Sequence, residues 1–124
     1  MLRTFIQNRY SMSLQIITDA INTRKVIRYQ YNKVGEPSGE RIGHPYAVFI
    51  FTSKAGAIST KVHIVQTDGD SKSVIENPFP SFRMYNIEDL TNVRILENIP
   101  SFGEPFHELY RPESPMYIDV IVKI

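Results

Sequence analysis

The residues best suited to chemistry in this chain are two arginines. Arg41 stands in Glu40-Arg41-Ile42-Gly43-His44-Pro45-Tyr46, and Arg83 in Ser81-Phe82-Arg83-Met84-Tyr85-Asn86-Ile87. A guanidinium is a planar, permanently charged fork that suits bidentate contact with phosphate and stacking on a base or ring. Arg83 follows an aromatic in a strand-like run; its alternative is an ion pair with a nearby carboxylate such as Glu88 or Asp89. Arg41 offers a second phosphate contact, against the alternative of a turn-flanking surface charge. Arg28 lies on the polar side of its own run, where solvation is the simpler reading. His63 sits in the apolar run Val62-His63-Ile64, where a lone histidine is more often a hydrogen-bonded core residue than a base or ligand. Tyr29, Tyr31 and Tyr46 offer stacking surfaces, with packing in the core or at its rim as the stronger alternative.

Signatures of catalysis are poor. His107-Glu108 is half of a His-Glu-x-x-His zinc motif, but Arg111 holds the partner position. Asp68-x-Asp70 begins like a calcium loop, yet Phe79 stands where the closing glutamate belongs. No Gly-x-Ser-x-Gly, phosphate-cradling glycine loop or cysteine nucleophile occurs. The expectation is a binding module, not an enzyme, with no cofactor.

The elements that must position these side chains are short. With 124 residues the chain is long enough for one domain, and 42% hydrophobic against 22% charged residues is globular composition. The absence of cysteine excludes a disulfide framework and a thiolate metal site, and fits a reducing, cytoplasmic compartment. No apolar run approaches the roughly 20 residues that span a bilayer, and no apolar stretch follows Arg3 and Arg9 to make a secretory signal. Net charge is only +1, but residues 1–41 hold seven Lys/Arg against three Asp/Glu and residues 42–124 seven against ten. Such asymmetry can make a basic face on a near-neutral protein.

Residues 1–12 read as an arm or a short extra helix. Ser13 is a suitable N-cap for an amphipathic helix over about 13–24, with Leu14, Ile17, Ala20 and Ile21 at helical spacing. Five strands follow: 26–31, 41–52 with a bend at Pro45, 58–67, 81–86 and 92–96. A single helical turn at 87–90 joins the last two. Residues 98–115 carry four prolines and read as an irregular wrapping segment. Residues 116–124 alternate as a sixth strand, which adds to an edge of its own chain or exchanges with a second copy to make a homodimer.

The order of helix, strand Ile27–Tyr31, Arg41 through Pro45-Tyr46, central strand, and Phe82-Arg83 before a helical turn resembles the WYL domain family over residues 13–97. Ala20-Ile21, Arg24-Lys25-Val26-Ile27 and Ile87 add to the likeness. Val62-His63-Ile64 stands where the family carries its naming Trp-Tyr-Leu, and Asn86 where many members have a second arginine. The family's usual helix-turn-helix DNA reader has no counterpart in the 12 residues ahead of the expected helix. The resemblance implies an Sm-like five-stranded β-barrel capped by the helix. It also implies a ligand-sensing role, usually for nucleotides or nucleic acid, in transcription control and prokaryotic defence. The expectation is therefore a stand-alone regulatory module for a nucleotide or single-stranded nucleic acid, acting on a larger partner. Arg83 and Arg41 are its expected phosphate contacts, His63 and Tyr46 its base contacts, and Arg28 a further cation. The alternative is a ligand-free interaction or oligomerisation module.

Overall fold

The computed structural model describes the backbone of residues 2–124 and the side chains of residues 11–124. The chain runs α1 (Leu2–Thr23), β1 (Ile27–Tyr31), β2 (Glu40–Thr52), β3 (Ile58–Gly69), β4 (Ser81–Asn86), a 3-10 turn (Ile87–Asp89), β5 (Leu90–Ile95) and β6 (Asp119–Lys123). It is mainly β with one helix, and the strands form one antiparallel sheet.

The helix corrects one expectation. It starts at Leu2, so Ser13 is not a cap but a buried mid-helix residue beside Ile17, Ala20 and Ile21. No proline or glycine interrupts residues 2–12, and a serine's capping preference is too weak to stop a helix that nothing else breaks. The helix ends where Arg24 turns left-handed (φ 57°), with the amide of Lys25 donating to the carbonyl of Ala20 at 2.8 Å, the closure usually made by glycine.

The sheet also differs from a closed barrel. Its path is β4-β3-β2-β1-β5, with β6 added beside β2. No ladder joins β4 to β5, so the sheet is open. The 3-10 turn carries the chain from one end of the path to the other rather than folding β5 back on β4. Along one edge of β2, residues 40–43 pair with β1 and residues 47–50 pair with β6. The C-terminal strand therefore fills, within its own chain, the half of that edge that β1 leaves unpaired. It is shorter than the expected 116–124, and Val122 is its one buried residue.

Alternation, reset in β2 by register shifts at Ile42/Gly43 and Pro45/Ala47 that put Tyr46 and Val48 on different faces, gives the sheet two faces. Tyr29, Val48, Val62, Ile64, Tyr85 and Val122 pack with Ile17, Ala20 and Ile21 of α1 in one core. Tyr46 and Val65 face a second core, closed by Phe102 and Tyr110 from the wrapping segment. The register places Tyr29 opposite Arg41 and Ile64 opposite Arg83. Both arginines thus lie on the helix-covered face, beyond the reach of the helix.

Candidate anion-binding site

Arg41 reaches its position through a tight corner. It pairs with Gly69, whose φ is +98° and whose added Cβ would lie 2.2 Å from the Glu40 carbonyl oxygen. Only glycine allows β2 and β3 to approach so closely there. The Arg41 side chain, 2% exposed, is then enclosed on several sides. Its Nη2 donates to the Pro37 carbonyl at 3.1 Å, its Nη1 lies 3.5 Å from the Tyr85 hydroxyl, and its guanidinium carbon sits 5.1 Å from the centre of the Tyr31 ring.

Tyr85 belongs to a buried chain of polar groups. The hydroxyls of Tyr29 and Tyr85 are 2.9 Å apart, and Tyr85 donates to Gln66 Oε1 at 3.4 Å. Gln66 in turn donates to the carbonyls of Asp68 and Asp70. Since Arg41 can only donate, Tyr85 accepts from it and from Tyr29, and passes its own proton towards Gln66. Burial pushes the Tyr29 hydroxyl well above the usual phenol range, so it stays protonated as a donor.

Arg83 approaches from β4. Its Nη1 and Nη2 donate to the hydroxyls of Ser73 and Ser71 at 3.0 and 2.8 Å. Neither Glu88 nor Asp89 takes it. Tyr31, Arg41, Arg83 and Tyr85 line one cavity of about 550 Å³, walled further by Ser73, Lys72, Glu36 and Glu76. That volume lies within the roughly 300–1,000 Å³ usual for small-ligand sites. Lys72, exposed at the outer part of the lining, donates to the Gly35 carbonyl at 3.3 Å.

Four arginine nitrogens among the described residues are buried without a hydrogen-bond partner: Arg24 Nη1 and the Nε atoms of Arg28, Arg41 and Arg83. Arg28 is ion-paired to Glu40 at 3.5 Å, and Arg24 lies over the Phe106 ring. Among the described residues, Arg41 and Arg83 form no ion pair with a carboxylate, and they share the cavity. A buried polar group without a partner is costly, which makes the cavity shared by Arg41 and Arg83 the candidate place for an anion.

The other expected site residues are elsewhere. His63 and Tyr46 belong to an aromatic layer on the opposite face. The ring of His63 lies 5.0 Å from Phe49 and 4.7 Å from Phe82, and its Nδ1 shares a hydrogen bond with the Tyr117 hydroxyl. Burial lowers its pKa to about 4, so it is neutral at pH 7. Tyr46 contacts Phe82, Phe102, Phe106 and Tyr110, and its hydroxyl accepts from the amide of His107 at 2.9 Å. Arg28 is half-exposed on the outer side of β1. Phe82 and Arg83 adjoin in sequence, yet alternation sends them to opposite faces. Asn86 lies across from Arg83 by the same rule and accepts from Lys61.

Sequence reasoning missed Tyr85, Gln66, the two serines, Lys72 and the two rim glutamates. Tyr85 was reachable, because it stands two residues after Arg83 and so shares its face. The loop residues carried no such signal.

No protein-family model, curated protein or solved structure matches this chain. Among the described residues, no group of three or more His, Asp or Glu gathers to hold a metal, and no helix is long and apolar enough to cross a membrane.

Proposed function

We propose that this chain is a non-enzymatic, WYL-like regulatory module of the cytoplasm. It binds a nucleotide or single-stranded nucleic acid through Arg41 and Arg83 and modulates a partner in transcription control or defence. The observation that carries the reading is a pair of guanidiniums, Arg41 buried and Arg83 half-buried, that among the described residues have no carboxylate partner and share one cavity with the Tyr31 and Tyr85 rings. The helix ahead of the sheet, the long second strand and the 3-10 turn between β4 and β5 support the family resemblance. The partial curl implied by that turn supports an Sm-like arrangement that lacks only the final ladder. His63 is not part of this site; its expected base contact passes to the tyrosines that line the cavity.

The test is a titration against nucleotides and short single strands at two salt concentrations. Phosphate neutralisation releases counterions, so binding weakens as salt rises. Binding that ignores salt, or no binding at all, contradicts the reading.

A second reading, a homodimer or docking module, draws on the outer side of the C-terminal strand. Ile118 is 83% exposed there, with Ile121 and Met116 partly exposed beside it. Deleting residues 116–124 and measuring mass by light scattering separates the two. A protein that is monomeric at high concentration before deletion removes this reading.

A further inference from the structure

We propose that the Arg41–Arg83 cavity takes the terminal phosphate monoester of a nucleotide or strand end, and discriminates against an internal phosphodiester. This rests on the reading of the two arginines as an anion site and narrows its ligand.

Three observations lead there. First, Arg41 is nearly inaccessible, with the Pro37 carbonyl, the Tyr31 ring and the Tyr85 hydroxyl around its guanidinium. An anion that touches it must enter the cavity. A chain end can do so, whereas an internal diester must leave with a nucleotide attached on either side.

Second, the cavity presents three cationic side chains, offset by two carboxylates, with a fork already set for phosphate oxygens. Arg41, Arg83 and Lys72 line the cavity, and the fork of Arg83 already spans two oxygens, those of Ser71 and Ser73, at 2.8 and 3.0 Å. A monoester carries about −1.5 to −2 at pH 7 and presents three acceptor oxygens, where a diester carries a single charge. The two serine hydroxyls mark where monoester oxygens seat, or turn to donate to them.

Third, the rim is acidic. Glu36 and Glu76 line the same cavity and repel the further phosphates of a continuing strand. Both are acceptors for neutral donors, such as a sugar diol or a base amino group. The site therefore combines a cationic floor with an acceptor rim, which suits one phosphate on an otherwise uncharged body.

The test uses the full chain and Arg83→Gln. The probes are inorganic phosphate, a nucleoside 5′-monophosphate, the 3′,5′-cyclic monophosphate of the same nucleoside, and one tetranucleotide with and without a 5′-phosphate. The open monophosphate is expected to bind about tenfold or more tightly than the cyclic diester. The phosphorylated tetranucleotide should exceed its hydroxyl counterpart by a similar factor, and both preferences should fall in Arg83→Gln. The tighter of mononucleotide and phosphorylated strand identifies the natural source of the group.

Equal binding of cyclic and open nucleotides, still dependent on Arg83, overturns the end preference and leaves the anion site standing. Inorganic phosphate that equals the mononucleotide overturns the role given to the rim. If no phosphate compound binds in an Arg83-dependent way, the anion site itself is wrong.

Discussion

The two faces of the sheet are built from the same strands, yet they treat their polar groups in opposite ways. On the face closed by the wrapping segment, three buried or half-buried polar tips have protein partners: Tyr46 with the amide of His107, His63 with Tyr117, and Tyr110 with the Ile124 carbonyl. On the helix-covered face, the apolar core gives way at one end to Tyr29, Tyr85 and Gln66, and then to two guanidiniums whose Nε atoms have none. The face closed by the wrapping segment also carries a cavity, of about 790 Å³, beside His44, Tyr46 and His107, but the three hydrogen bonds there are accounted for by folding. The unpartnered polar end of the other is where the proposed ligand would bind.

The sharpest way to break this comparison is to damage the aromatic layer. Tyr46→Ala removes a ring that touches four others and is expected to cost about 3–5 kcal/mol of stability, measured by urea unfolding. Anion affinity per folded molecule should stay unchanged. A large affinity loss at unchanged stability would place ligand chemistry on the wrong face.

Tyr85→Phe probes the unpartnered end. It takes the acceptor from Arg41 Nη1 and Tyr29 and the donor from Gln66, at a cost of about 1–3 kcal/mol. Urea unfolding that shows less than about 0.5 kcal/mol would mean that Arg41 is positioned by other contacts.

His63 gives the comparison a pH dependence. Its folded pKa, about 4, lies below the ordinary value of 6.5, so the unfolded chain binds more protons between those values. Stability is then fully present above about pH 6.5 and declines as pH falls towards 4. The decline should be on the order of 1–2 kcal/mol, allowing for partial solvent access. Melting of native protein and His63→Phe at pH 7 and pH 5 checks it: the variant should lose less. Equal slopes would mean that His63 is not the titrating group.

The smallest effect belongs to Lys72 at the mouth. Lys72→Gln should slow ligand association and flatten its salt dependence, with at most about a fivefold change in affinity. Stopped-flow mixing at two salt concentrations measures it, and a loss as large as that for Arg83 would move the site outward.

Much of the fold was legible because alternation and punctuation are local. Tyr29, Tyr31 and Arg28 announce their own faces, and the 3-10 turn at 87–89 fell where Glu88-Asp89 interrupts the strand pattern. The helix start was not legible, since residues 2–12 lack both a breaker and a decisive period. Nor was the open sheet, because whether β4 and β5 meet depends on how far the whole sheet curls. At the site, Arg41 and Arg83 are expected together without any register to join them, and both line one cavity. The grouping of His63 with them failed for a simple reason. His63 stands where the resembling family carries its tyrosine, but the register turns it to the other face: Ile64 pairs with Arg83, and His63 pairs with Met84.

The central claim is that Arg83 binds an anion and does not hold the fold. Titration calorimetry of native protein and Arg83→Gln with a nucleoside monophosphate, alongside their melting curves, tests it most directly. A charge-assisted contact is worth about 1.5–3 kcal/mol. The account therefore predicts an affinity loss of about tenfold or more, with the melting temperature nearly unchanged. A variant that melts far earlier yet binds as well per folded molecule would contradict it.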